Sequence, residues 1–439
     1  MSARMLRACF VAWTAWLVSV SGANADARVF ERGRDAQTGE VPNEREHRYV
    51  DLTAFLQPGL LFRLTDEDVR LARGDDQVIL QRARIGLNAR LVWWLRLRME
   101  MEFAGSTPSL ADGFLEFMPH DAFHVSIGQM QVPFLHAYQF NELNLGFIDR
   151  PVYTPLGAER PFLRYLSPRD IGVMVSGRVG DLTEGATMPV FEYWLAAMVG
   201  ERENITINNN DNWLYAGRVK LHIRGVPQGA AAESDLARNT VPRIAVAGGV
   251  YSNCDDRENW NRGFTADAEL RWNGLYASGS FVWFKNGPAE HNQFGYGERC
   301  PGQMGADGNP LRFVSLGAHA QVGYVLPEIL FPVRNQAIEL LARFDWVNPI
   351  APFDSNRRIL GGDEMHPQYV APSLLNDGDN APTRYRVTLG VSWYPTGQQT
   401  LRLQLNYQIN RELEDIVTSE GSLVGVRNEV LWLQITAGL

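Results

Sequence analysis

The sequence predicts an all-β fold, a transmembrane antiparallel β-barrel of about sixteen strands. Three observations carry that prediction. Apolar residues recur at every second position through most of the 439 residues, although no stretch after the leader is apolar for long enough to cross a membrane as a helix. The connectors between the alternating segments are short and long in turn, as in barrels with short periplasmic turns and long external loops. The chain also opens on an export signal.

That signal is read first. Arg4 and Arg7 precede an apolar run from Ala8 to Val20, and Ala23-Asn24-Ala25 forms a small-x-small cleavage site. Residues 1–25 are expected to be a signal peptide. Residues 26–48 are expected to be a flexible periplasmic segment, and 49–439 the barrel. Strands are expected at 49–62, 77–91, 94–104, 112–119, 123–132, 168–180, 190–200, 213–224, 242–253, 263–273, 275–285, 311–325, 336–347, 384–394, 400–410 and 428–439.

Each strand rests on its own alternation. Leu95, Leu97, Met99, Met101 and Phe103 share one face, with Arg96, Arg98, Glu100 and Glu102 on the other. The pattern recurs in Phe264/Ala266/Ala268/Leu270/Trp272 and in Tyr385/Val387/Leu389/Val391/Trp393. Asn273-Gly274 is a two-residue hairpin signal, and Pro395-Thr396-Gly397 marks another short turn. Polar stretches at roughly 286–311, 348–383 and 411–427 supply the long loops. Trp272, Trp346, Trp393 and Tyr394, near strand ends, fit interfacial girdles.

The alternation also fixes where the charges go. An arginine facing lipid at the midplane costs about 2–4 kcal/mol, so the polar face must be the lumen. Arg82, Arg84, Arg96, Arg98, Arg218, Lys220, Arg384 and Arg386 are thereby candidate pore-lining and anion-binding residues. With Arg90, Arg224, Arg243, Arg271, Arg343 and Arg402, fourteen basic groups face eight acidic ones, although the chain carries a net charge of −9. Rings of arginine favour anions in a pore. The same arginines could instead pair across strands and brace the wall, and Glu100 and Glu102 are expected to neutralise part of the Arg82–Arg98 cluster.

Other chemistry has little footing. Once the leader and its Cys9 are removed, Cys254 and Cys300 remain, and they are candidates for one disulfide between neighbouring loops. The eight histidines show no metal-ligand spacing, and no phosphate-cradling or nucleophile-elbow motif occurs, so neither metal nor cofactor is expected. A barrel enzyme would need a serine–histidine pair. His124 and Ser126 are neighbours on the lumen face and offer poor support for one. The acidic balance argues against nucleic acid as a partner.

Several segments resemble the Pseudomonas-type phosphate- and polyphosphate-selective porin family. They are Gln81-Arg82-Ala83-Arg84-Ile85-Gly86-Leu87, Asp112-Gly113-Phe114-Leu115-Glu116-Phe117, Ile127-Gly128-Gln129-Met130-Gln131-Val132-Pro133-Phe134, Phe147-Ile148-Asp149-Arg150-Pro151 and Pro168-Arg169-Asp170-Ile171-Gly172-Val173. They occur in order in the first half of the chain. The second half is similar in barrel pattern only. The resemblance implies a sixteen-stranded homotrimer in the outer membrane of a Gram-negative bacterium, in contact with lipid and lipopolysaccharide. It also implies passive diffusion of small anionic or neutral solutes, phosphate among them, and a third loop folded into the lumen. That loop spans 133–167. Arg150, Arg160, Arg164 and Arg169 with Tyr138 and Tyr153 could form an arginine-aromatic constriction, or could anchor the loop to the wall.

Overall fold

The computed structural model describes residues 27–32, 48–66, 76–154, 168–183, 185–201, 203–208, 212–254, 260–286, 313–327, 335–351, 383–413, 416–417, 423–424 and 427–438. Sixteen strands close into one antiparallel barrel. They are β1 (Arg48–Asp66), β2 (Gln77–Val92), β3 (Leu95–Glu102), β4 (Ser109–His120), β5 (Phe123–Gln131), β6 (Arg169–Gly180), β7 (Val190–Met198) and β8 (Leu214–His222), followed by β9 (Arg243–Cys254), β10 (Trp260–Trp272), β11 (Leu275–Asn286), β12 (Phe313–Val325), β13 (Ala337–Ala351), β14 (Arg384–Tyr394), β15 (Leu401–Glu412) and β16 (Arg427–Gly438). Each pairs with its sequence neighbours, and β16 pairs with β1 to complete the ring. All sixteen expected strands are present, with ends shifted by a few residues.

The barrel is turned inside out relative to one that folds in water. Ile127, Val250, Phe264, Leu340, Leu389 and Leu405 are exposed on its outer face. Glu339, Asp345, Thr388, Arg402, Gln404 and Asn406 are enclosed within it. Among the described residues no helix is long and apolar enough to cross a membrane. Exposed aromatics form two girdles. Trp93, Trp272, Tyr324 and Trp393 mark the short-turn rim, and Phe103, Trp213, Tyr215 and Phe264 lie toward the long-loop rim.

Turn chemistry follows the sequence at the short-turn rim. Asn273 and Gly274 both take positive φ, +50° and +89°, as a two-residue hairpin turn requires. Two features go beyond the sequence expectations. The connection between β8 and β9, residues 223–242, is no short turn. Its central residues Ala232, Glu233, Ser234 and Asp235 are buried inside the barrel. Within the segment expected to be a flexible leader, Ala27–Arg32 pairs antiparallel with β1, setting Ala27 opposite Leu52.

Cys254 closes β9, is buried and is disulfide-bonded. Cys300, its expected partner, lies outside the described residues. The outward alternation makes a direct prediction for Leu389, half-way along β14. Leu389→Arg should cost about 2–4 kcal/mol in urea titrations of the protein folded into lipid vesicles. An unchanged midpoint would place that face away from hydrocarbon.

Candidate functional site

Every strand turns alternate side chains inward, so the site is the lumen wall together with whatever occupies the lumen. The third loop occupies much of it. From Val132 to Thr154 all residues but Gln139, Asn141, Leu143 and Asn144 are buried. Two short 3₁₀ turns, His136–Tyr138 and Glu142–Asn144, shape the segment, and the Asn141 side chain accepts from Leu143 N–H to start the second.

The loop is tied to the wall strand by strand. Phe134 packs on Tyr251 of β9 and Phe284 of β11, and its carbonyl accepts from Arg218 of β8 at 3.1 Å. His136 Nδ1 lies 3.2 Å from Asp267 of β10. Glu142 bridges Arg84 of β2 at 2.8 Å and Arg150 of the loop at 3.2 Å. The carbonyls of Leu145 and Gly146 accept from Arg402 and Gln404 of β15. Asp149 takes Arg343 of β13 at 2.9 Å, Arg386 of β14 at 2.5 Å and Gln408 of β15 at 3.0 Å. The Tyr153 hydroxyl lies 2.7 Å from His319 Nδ1 and 3.2 Å from Ser280 Oγ. Gly317 admits the Tyr153 ring, because a Cβ there would meet Tyr153 Cβ at 2.7 Å.

These ties divide the wall. Inward polar side chains of β10 to β15 are largely sealed: Asp267, Arg271, His319, Arg343, Asp345 and Arg402 are all buried. Between β3 and β7 some ion pairs instead display one partner. Arg96 pairs with Glu116, and their side chains are 30% and 8% exposed. Arg98 lies 3.2 Å from Asp112 and 3.6 Å from Glu100, with 38% exposure against 5% and 6%. Arg178 and Glu192, at 2.8 Å, show 55% against 6%. In each pair the carboxylate lies against the wall and the guanidinium reaches past it into the lumen.

The candidates from the sequence therefore separate. Arg96 and Arg98 are open, and Arg82 is partly open beside Glu102. Lys220, paired with Glu269, and Arg386, paired with Asp149, are mostly covered, and Arg384 is half-buried. Arg84 and Arg218 are enclosed in ion pairs. Of the loop candidates, Tyr138, Arg150 and Tyr153 are buried, as is Arg169 at the start of β6. Arg150 donates to the Phe140 carbonyl, and Arg169 bonds Asp112 at 2.8 Å. Arg160 and Arg164 lie outside the described residues.

Sequence reading missed Glu142, Asp149 and Glu233, the acids that hold the loop. A signal existed, because acids inside a loop that is itself inside an arginine-rich lumen have partners waiting. His124 is held by Glu116 at 3.3 Å, and Ser126 is buried. Among the described residues no group of three His, Cys, Asp or Glu side chains could hold a metal ion.

Burial alone would raise the Glu142 carboxyl. The guanidiniums of Arg150, Arg84, Arg169 and Arg82 outweigh it and hold the group well below the usual carboxylate range. Burial pushes the Tyr153 phenol up, so that it stays protonated.

No protein-family model matches the sequence, and no curated protein matches it. Solved structures do match in fold. OmpF of Salmonella typhi, in complex with daunomycin, is 10% identical over 91% of this chain and 100% of its own, with a TM-score of 0.50. OprB of Pseudomonas putida is 12% identical over 89% of this chain and 94% of its own, also with a TM-score of 0.50. At such identities the likeness is one of fold.

Glu142→Gln should destabilise the barrel by about 3 kcal/mol, the cost of leaving buried guanidiniums short of a partner. A carboxyl depressed in the folded state contributes stability above its unfolded value and loses it as pH falls through the folded one. In urea titrations the gap between wild type and variant should therefore hold constant from pH 8 to 5. It should shrink only below the ordinary value of 4.5. A gap that closes between pH 7 and 5 would contradict the anchoring role.

Proposed function

We propose that this chain is an outer-membrane porin that lets small hydrophilic solutes diffuse passively, favouring anions such as phosphate. The reading is supported by the inside-out barrel, by its likeness in fold to OmpF and OprB, and by an inward third loop that narrows the lumen without joining the wall on all sides. The exported leader and a homotrimeric assembly belong to the same proposal and rest on the sequence pattern and the family resemblance.

One observation carries the anion preference. In three places between β3 and β7 the cation is the more exposed partner and the carboxylate is buried, so a passing solute meets Arg96 and Arg98 first. The pairs are neutral in sum, yet their dipoles point positive end inward. In a narrow, low-dielectric channel that orientation favours anions. A second reading, lumen arginines as braces only, is favoured on the opposite wall, where Arg343, Asp345 and Asp149 enclose one another. The two roles occupy different halves of the barrel.

Planar-bilayer recordings in a salt gradient test the proposal. Wild type should conduct, with a reversal potential on the anion side. Replacing Arg96 and Arg98 together by glutamine should move that potential toward the cation side, whereas Arg343→Gln should lower stability and leave selectivity in place. Absence of conductance would sink the porin reading, and cation selectivity in the wild type would sink the arginine argument alone.

A further inference from the structure

The connection between β8 and β9 is the one long insertion on the short-turn rim that is described throughout. The other connections there described in full run from two residues, as at Asn273-Gly274, to six, at 395–400, and the one at 181–189, described but for residue 184, has nine. Its neck is closed. Gln228 N–H donates to Asn239 Oδ1 at 3.0 Å, and Asn239 Nδ2 donates to the Gln228 carbonyl at 3.1 Å. Residues 229–238 thus form a compact loop with adjoining ends.

That loop is built into the lumen. Arg271 of β10, fully enclosed, donates to the carbonyls of Gly229, Ser234 and Ala230 at 2.8, 2.8 and 3.2 Å. Asp235 accepts from Gly274 N–H at 2.7 Å, and Arg238 donates to the Val325 carbonyl at the end of β12. Its innermost residue meets the third loop. Glu233 N–H donates to the Asn144 carbonyl at 2.8 Å, and Gly146 N–H donates to Glu233 Oε2 at 3.0 Å. The approach at Gly146 is close, because a Cβ there would lie 3.0 Å from the Glu233 carbonyl oxygen. Arg402 and Gln404 grip the same stretch from β15.

We propose that residues 229–238 are a second inward element that sets the width of the channel. Glu233 latches the innermost turn of the third loop. The loop and the insertion together close the lumen from β10 to β15, leaving solute the β2 to β6 wall. The insertion approaches from the opposite rim, so the third loop is held from both ends of the barrel and cannot swing toward the short-turn side. This inference rests on the porin reading.

Two variants test it in planar bilayers, with heat-modifiable migration in detergent as the check of folding. In the first, residues 229–238 are excised and Gln228 is joined to Asn239 through two glycines. Conductance should rise, and the largest polyethylene glycol that enters the pore should grow. In the second, Glu233→Ala removes one hydrogen bond of the latch and keeps the insertion. Its open-channel noise should exceed that of wild type at equal mean selectivity. If the excised chain does not fold, the Glu233→Ala recording decides, and noise equal to wild type overturns the latch. A folded excision variant with wild-type conductance and wild-type polymer cut-off overturns the inference alone. A wild type that conducts nothing overturns the porin reading and this inference with it.

Discussion

Closure of the sheet is the constraint from which the rest follows. In hydrocarbon no water is available for a free backbone N–H or C=O, and each one left unpaired costs several kcal/mol. A sheet meets that demand only when it has no edge, and the β16–β1 ladder removes the last one. Closure then sorts the side chains. With lipid outside, every second residue must be apolar, and every polar residue in a strand is committed to a confined interior. The wall accumulates charge because it has nowhere else to place it, and charge in a confined interior needs partners.

The two halves of the lumen meet that need differently. From β10 to β15 the partners come from chain folded inward. Asp149 satisfies strands β13, β14 and β15 at once, and the carbonyls of 229–234 satisfy Arg271. Between β3 and β7 the exposed arginines find their partners in the wall itself, as Arg96 opposite Glu116 shows, although Arg84 of β2 also takes Glu142 of the loop. A pair made within the wall leaves its lumen side free for water, whereas a pair made with a loop is covered by that loop. The more exposed arginines therefore lie where the wall neutralises itself.

This division explains which parts of the molecule could be read in the sequence. The strands could, because a period of two is local and lipid enforces it at each step. The inward set could as well, since it is the complement of the outer face. What each inward arginine does could not. Arg98 and Arg343 sit in the same alternation, yet one is open and the other sealed, and the difference lies in a loop two hundred residues away from Arg343. Residues 223–242 escaped for a related reason. Gly225, Pro227 and Gly229 suit a rim turn, and the length of the segment was the only sign that it had further to go.

Arginine, and not lysine, is what lets inward loops exist in such a lumen. A loop brought inside a barrel carries carbonyls that no sheet will pair, and they must find donors. An ammonium facing a carboxylate has few directions left for them. A guanidinium has five N–H donors in a rigid fork and can serve an acid on one edge and loop carbonyls on the other. Arg343 does so with Asp345 on the wall and the Asp149 carbonyl on the loop, and Arg218 with Asp267 and the Phe134 carbonyl. Arg402 serves the Leu145 carbonyl and the Gln399 side-chain oxygen. A lysine at 343 would keep the charge and lose the fork, stranding a loop carbonyl in the sealed half of the lumen. Arginine at 218, 343 and 402 thus suits an interior where loop backbone and wall carboxylates share the same donors.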